Sequence, residues 1–504
     1  MEVNQEVVVA VIKKMKYRVF VLLCLGNILV GFAQTDEDVT TYKKRVLETT
    51  EVDFLMSYYT QEGSHAAVTG GVGNEELKDI TPTFIVAIPL NADDVLTIDA
   101  GISAYSSASS SNLNPFDISG ASGNGYDDDD DDDDDDRRAN PASTVIGSPW
   151  VASSGASSED VWYNLTVNYS HSSDDRNLIW TADLGFASEY DYTSFGFGGG
   201  VTKLFNEKNT ELGLKVQVYL DQWNPQYPTE LDSYIDSNQD LNTGYFSGID
   251  ILNQSGQIIN KNATDAWTPF KDHLVTEQAR NSYSLSLNFS QILSKKAQLS
   301  LFLDLVSQSG WLANPMQRVY FADRANFFVG NAQNIPNYTS PTNTDVFQLA
   351  DDIERLPSSR IKTPFGMRFN YFINESVSVR TYYRFYMDDW GMNSHTVSIE
   401  FPIKLALGKF TLYPNYRFYN QTAIDYFEPF ESHQSTSSYY TSDFDLSKFV
   451  SHQYGLGIKY LDIFSSFKIF SLGLKSAEIR YSSYNRSDGL QANIISLGIK
   501  FVTD

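Results

Sequence analysis

Along most of the chain, apolar and polar residues alternate one for one. Val52, Phe54, Met56 and Tyr58 alternate with Asp53, Ser57 and Tyr59, and Phe84, Val86, Ile88 and Leu90 follow the same rule. Leu96, Ile98, Ala100 and Ile102 are set against Thr97, Asp99, Gly101 and Ser103. Val161, Tyr163, Leu165, Val167 and Tyr169 repeat the pattern. So do Tyr283, Leu285, Leu287 and Phe289, and finally Ile495, Leu497, Ile499 and Phe501. A period of two puts alternate side chains on opposite faces of a strand. Roughly sixteen such segments of about ten residues recur, the length a tilted strand needs to cross a bilayer. No helical period of comparable strength appears beyond the N-terminal region.

The connections carry equal weight. Short polar turns occur at Asn91 to Asp94, Ser172 to Asn177, Asn206 to Thr210, Ser294 to Ala297, Asn374-Glu375 and Leu407 to Lys409. The others include very long ones, at about 107–159, 223–279, 308–359 and 420–449. Counted strand by strand, every short turn falls at one end and every long loop at the other. This asymmetry predicts an all-β fold, a transmembrane antiparallel β-barrel of roughly 16 strands with long extracellular loops and short periplasmic turns. A soluble sandwich or propeller would share the alternation but not the asymmetry. One inner connection departs from the rule: Asp462 to Lys475 is longer and carries Phe464, Phe467, Ile469 and Phe470.

The N-terminus reads as an export signal. Lys13, Lys14, Lys16 and Arg18 precede an apolar stretch from Val19 to Val30, and Gly31-Phe32-Ala33 offers small residues before Gln34. That stretch is shorter than the ~20 residues of a spanning helix. The expected organisation is a secretory signal peptide (1–33), a periplasmic arm (34–48) and an outer-membrane barrel (49–504). The only cysteine of the 504 residues, Cys24, falls in the signal, so no disulfide framework is expected. With 63 Asp and Glu against 37 Lys and Arg, the net charge is −26, which argues against nucleic acid as a partner. A mean hydropathy of −0.30 excludes a polytopic helical membrane protein but not a barrel, whose alternation averages out.

The inward faces are the most informative for function. In the C-terminal strands the polar parity carries Arg368, Arg380, Arg384, Lys404, Arg417, Lys459, Arg480 and Lys500, against Asp388, Glu400 and Glu478. In the N-terminal strands it carries Asp53, Asp99, Asp183, Glu211, Asp221 and Asp304, against Lys215. Inward charges must be hydrated or paired. One half of the wall is therefore expected to be acidic and the other basic, as in a porin that orients solutes by a transverse field. The competing expectation is a salt-bridged lumen plugged by the long loops. The candidate lumen charge patch is Arg368, Arg380, Arg384 and Arg417 with Asp99, Asp183 and Asp304.

Other chemistry is weaker. The run Asp127 to Asp136, followed by Arg137-Arg138, reads as a self-repelling low-complexity loop rather than a calcium tag. Asp236, Asn238, Asp240 and Asn242 share the spacing of a calcium-binding loop, but Leu241 stands where its turn needs glycine. The six histidines are His65, His171, His273, His395, His433 and His452, and none lies in a nucleophile motif. His395, near Ser394 and Ser398, is the nearest to a catalytic arrangement, and an isolated girdle histidine is the plainer account. The abundant Tyr and Phe fit aromatic girdles at the membrane interfaces. The expectation is therefore a non-enzymatic outer-membrane barrel with no cofactor and no metal. It would be a channel or porin-like protein for small polar solutes in contact with outer-membrane lipid. The alternative is a non-conducting interaction or complex subunit, a plugged barrel serving as platform for its outer loops, with periplasmic or surface proteins as partners.

Three stretches resemble a family of Bacteroidetes outer-membrane β-barrel proteins known only as a domain of unknown function. They are Asp93-Asp94-Val95-Leu96-Thr97-Ile98-Asp99-Ala100-Gly101, Asn168 to Asn177, and Asp351-Asp352-Ile353-Glu354-Arg355-Leu356-Pro357. The resemblance spans nearly the whole mature chain and implies a barrel in the outer membrane, but no activity. Members of that family are similar to proteins encoded beside a periplasmic flavin transferase and a thioredoxin-like protein. No flavin-attachment or redox residue here matches such a role.

Overall fold

The computed structural model describes residues 45–73, 75–107, 160–269, 276–338 and 346–503. The expected signal peptide, most of the arm, the Asp-rich run and His273 lie outside the described residues. The first half of the wall is formed by β1 (Glu51–Glu62), β2 (Leu77–Pro89), β3 (Asp94–Ser107), β4 (Asp160–Ser172), β5 (Leu178–Ser188), β6 (Tyr192–Phe205), β7 (Thr210–Trp223) and β8 (Gln278–Ser294). Next come β9 (Ala297–Gly310), β10 (Ser359–Lys362, resuming as Phe365–Asn374), β11 (Val377–Met387) and β12 (Asn393–Glu400, resuming as Ile403–Leu405). The wall ends with β13 (Phe410–Gln421), β14 (Phe449–Leu461), β15 (Leu472–Arg486) and β16 (Gln491–Thr503). Each strand pairs antiparallel with its chain neighbours, and β16 returns to β1 through Glu51–Val502 to Glu62–Gln491. The result is a closed 16-stranded antiparallel barrel.

The parity read from sequence holds around the wall. Leu212, Leu214 and Val216 of β7 are exposed on its outer face, whereas Gln217, Asp221 and Trp223 of the same strand are buried inside. Exposed apolar residues cover the outer wall from Phe84 to Ile495. Aromatic residues ring it at both ends: Trp180, Phe205, Tyr371 and Phe410 near the short turns, and Tyr58, Tyr163, Tyr283 and Phe365 near the loops.

At the turn end, two of the strings that carried the resemblance meet each other. Arg176 Nη1 lies 2.6 Å from Asp93, its Nη2 donates to the Ala92 carbonyl at 2.7 Å, and His171 lies 2.6 Å from Asp94. Arg176 adopts a positive φ (57°) that turns the chain tightly back into β5. The arm's last described residues stay at this end, where the Val46 N–H donates to Ala92 at 3.0 Å.

At the opposite end the described loop residues pack together. The 224–277 and 311–358 connections share a core of Leu231, Tyr234, Phe246, Trp267, Tyr320 and Ile353, among others. Within it, Ile251–Asn253, Phe327–Gly330 and Val346–Gln348 form a small sheet. One helix, α1 (Thr229–Asp236), sits in this cap. At two turns it is too short to impose a readable helical period on the sequence.

Candidate permeation pathway and its cap

The structure places the inward charges in two halves with different surroundings. Asp99, Asp183, Asp221 and Asp304 are buried on β3, β5, β7 and β9. Asp183 is held by three neighbours: Lys215 Nζ at 3.4 Å, Gln217 Nε2 at 3.5 Å, and the Asn168 amide. Glycine makes this possible. Gly198 is the cross-strand partner of both Asp183 and Gln217, and a Cβ there would land on the Gln217 amide. In the same way Asn164 lies over Gly101, and Asn288 over Gly213. The polar side chains of this half thus lie flat and cover its carboxylates.

On the other half Arg368, Arg380, Arg384 and Arg417 remain part-exposed. Arg368, Tyr382, Ser398, Arg417 and Gln453 follow one another in register across β10 to β14. Arg380 and Arg384 stand on the same inward face, two residues either side of Tyr382. Arg368, Arg380, Arg384 and Arg417 thus occupy inward positions close together on β10, β11 and β13. Glu400 accepts from Arg380 at 3.2 Å and from Arg480 at 2.7 Å, and Arg480 also meets Glu478. To reach Glu400, Arg480 crosses Gly457, where a Cβ would stand 2.8 Å from the Arg480 Cγ. Asp388, expected as a partner of the row, is instead taken by Arg360 at 2.5 Å, just past the end of β11. Residues 359–362 belong to the wall as the first part of β10 and bring Arg360 to Asp388.

Three features escaped the sequence reading. Arg280 on β8 breaks the acidic half, stacking over Trp223 at 4.7 Å opposite Asp221. Phe302 is an apolar residue on the polar parity of β9. It fills the space over Gly366 and stacks on Tyr382 at 5.7 Å, with the Arg368 guanidinium 5.9 Å from its ring. An aromatic residue opposite a glycine was the available signal. The third is a collar: Tyr59, Trp162, Tyr192 and Trp223 point inward at the loop ends of their strands and pack together. Polar lumen parity thus gives way to aromatic packing at the upper rim.

Above the collar, the string Asp351 to Pro357 is a knot that ties two loops. Asp352 pairs with Arg355 at 2.7 Å and accepts from Tyr440 Oη at 2.5 Å. Glu354 accepts from the Asn314 N–H at 2.6 Å and Thr441 Oγ1 at 2.5 Å. Asp351 accepts from the Phe321 N–H at 2.8 Å. Burial, reinforced by Asp443, pushes the Glu354 carboxyl up to about 8. Burial pushes Asp351 up to about 6, against the pull of the Phe321 N–H. Arg318 fastens α1 to the β1–β2 connection, meeting Glu230 at 2.7 Å and the Val68 carbonyl at 2.7 Å.

The remaining candidates fall apart as sites. His395 points outward and shares a hydrogen bond of 2.9 Å with Tyr383 Oη, whereas Ser394 and Ser398 face the lumen on the same strand. A strand cannot bring the two faces together. His65, His171, His433 and His452 each meet a ring, a carbonyl or a carboxylate in the wall or cap. Asp240 accepts from the backbone and side chain of Asn242, both at 2.9 Å, closing its own turn. Among the described residues no three His, Cys, Asp or Glu side chains converge as a metal site.

Among solved structures, the chain is similar to a bacterial polysaccharide outer membrane secretin. The identity is 8% and the TM-score 0.40, covering 90% of this chain and 99% of that one. It is also similar to a FadL homologue of Pseudomonas aeruginosa (8%, 90% of each chain, TM-score 0.35). The outer membrane protein opdK of the same organism gives 8% identity, 90% and 99% coverage and a TM-score of 0.33. No curated protein matches the sequence. The family model described as "Protein of unknown function (DUF3570)" matches residues 22–490, and the chain belongs to that family.

Proposed function

We propose that the protein is an outer-membrane channel for small polar solutes, with a preference for anions, whose outer mouth is held closed by its loop cap. The observation that carries this reading is the part-exposed arginine surface of Arg368, Arg380, Arg384 and Arg417, set in a wall whose carboxylates are mostly covered. Clustered cations lower the energy of an anion in transit. The apolar outer wall with aromatic rings at both ends supports the membrane setting. The basic and apolar N-terminal stretch supports export through the secretory pathway, with residues 1–33 as signal and 34–48 as arm. The resemblance stated above points to a Bacteroidetes envelope. No step of this reading calls for a cofactor or for catalysis.

Reversal potentials in planar bilayers under a salt gradient test the proposal. Wild type should be anion-selective, and Arg380→Glu, Arg384→Glu should be markedly less so. A conducting wild type that prefers cations would overturn it.

A second reading has its own support. The cap has a buried aromatic core and ties to the rim, as a folded platform for surface proteins would. Absence of any ion-permeable state, across voltage and pH, would leave the platform alone.

A further inference from the structure

The connection between β14 and β15 breaks the rule that the other turns at its end follow. Those turns are short and mostly polar, from Asn91 to Lys409. Here a hairpin forms instead: Lys468 pairs with Gly473 and Ile469 with Leu472, and the Leu474 N–H donates to the Phe467 carbonyl at 2.7 Å. Five large apolar side chains are exposed on it, with Phe464 at 88% and Phe470 at 99%. The turn depends on positive φ at Ser465 (46°) and Phe470 (56°), neither of them glycine.

Register gives this surface a direction. Leu472 pairs with Thr503, and Leu474 with Phe501. Phe501 shares the outward parity of Ile495, Leu497 and Ile499, and it pairs with Val52 on the outer wall. Residues opposite one another on paired strands share a face. Phe467, Ile469, Leu472 and Leu474 therefore continue the outer wall's apolar band beyond the end of β14, without a break. That face looks radially outward, toward whatever solvates the wall. A water-soluble protein docking beneath the barrel would approach along the axis instead.

We propose that the 462–471 hairpin is a lipid-binding element, lying in the near leaflet of the membrane with its aromatic side chains at the boundary between acyl chains and headgroups. Amphipathic aromatic segments partition to that depth. The proposal rests on the membrane reading above, and its occupant is lipid rather than a second copy or a partner protein.

The test uses the full chain in a Cys24→Ser background, refolded into phosphatidylethanolamine and phosphatidylglycerol vesicles. Single cysteines replace Phe464, Phe467 or Phe470, and each carries an environment-sensitive fluorophore. Trp180→Cys on the outer wall reports lipid, and Ser376→Cys in a polar turn reports water. Heat-modifiable gel migration verifies that each variant is folded. The hairpin labels should show the blue shift of the Trp180 label and should be quenched when the lipids carry nitroxide acyl chains. Emission like that of the Ser376 label, with the Trp180 label still shifted, would overturn the lipid assignment alone. Blue-shifted labels that nitroxide lipids fail to quench would also overturn it, because protein would then be the cover. Loss of the shift at Trp180 as well would refute the membrane reading itself.

Discussion

The two halves of the barrel interior carry opposite charge and solve the problem of inward charge in opposite ways. In β1 to β9 Asp99, Asp183, Asp221 and Asp304 are buried, and Asp183 keeps only 3% of its side chain exposed. In β10 to β16 the Arg360 and Arg486 side chains are buried, but the arginine row stays in reach of solvent and Arg480 keeps 28%. Inward glycines make room for flat side chains on both halves. Gly101, Gly198 and Gly213 let side chains on the acidic half lie flat across the wall. On the basic half Gly455 and Gly457 do the same for Asn415 and Arg480, and what differs is the row of part-exposed arginines beside them. A group tucked into a packed polar layer contributes mainly to stability, whereas one facing a hydrated lumen contributes mainly to the field along it. The halves are thus expected to respond differently to the same kind of substitution.

Removing the cation at the centre of the acidic half should have the largest effect. Lys215→Met leaves Asp183 buried with amides alone, and breaking such a pair typically costs about 3–5 kcal/mol. Arg480→Met on the basic half should cost less, because Glu400 keeps Arg380 as a second partner. Urea unfolding in lipid vesicles measures both. Equal losses in the two variants would mean that both walls are hydrated alike, and the contrast would collapse.

Glycine packing gives the next effect. Gly198→Val puts side-chain volume where the Gln217 amide now lies, beside the Val216 carbonyl. Overpacking of this kind costs about 1–3 kcal/mol. Gly408→Val, at a turn where nothing stands within 4 Å of a new Cβ, controls for substitution by itself, although its positive φ (86°) adds local strain. A Gly198→Val barrel no less stable than the control would remove the glycines from the explanation.

The sequence made the wall legible and the interior only partly so. Period two marked the strands, and the contrast of loop lengths set their direction, because both follow from the strand's own geometry. Lys215, Asp183 and the arginine row were legible for the same reason. Whether a charge is covered depends on neighbours two or three strands away, such as Gln217 over Gly198, and alternation within a strand carries no trace of that. Glycine is silent to the pattern, so the run Gly198-Gly199-Gly200 says nothing of the side chains lying over it. The aromatic collar sits on positions where parity predicts polar residues. The cap core of Phe246, Trp267 and Tyr320 has no period to betray it, since it is assembled from irregular chain.

A pH effect should appear in the cap. Burial raises Glu354 to about 8 and Glu75 to about 9, so both hold their protons in the folded state at neutral pH. In the unfolded chain they would ionise near 4.5. Their contribution to folding is therefore fully present below about pH 4.5 and is lost as pH rises through 8 to 9. Hydrogen exchange in the 311–358 and 422–448 loops should accelerate between pH 7 and 9 beyond the intrinsic base-catalysed increase. Glu354→Gln keeps the neutral shape and should flatten this dependence. A cap that tightens with rising pH would contradict the assignment.

The smallest stability effect is expected where the functional effect is most specific. Arg384→Gln with Arg417→Gln removes two charges from the part-exposed row and leaves the Arg380–Glu400 pair in place. Exposed charges of this kind contribute about 0–1 kcal/mol, so the unfolding midpoint should hardly move. If the lumen conducts, its reversal potential should shift toward cations at low salt. The shift should fade near 1 M, where the Debye length falls to about 3 Å and ions screen the wall. A variant that unfolds earlier with unchanged selectivity would make the basic half a second packed wall, and the comparison between the halves would lose its functional meaning.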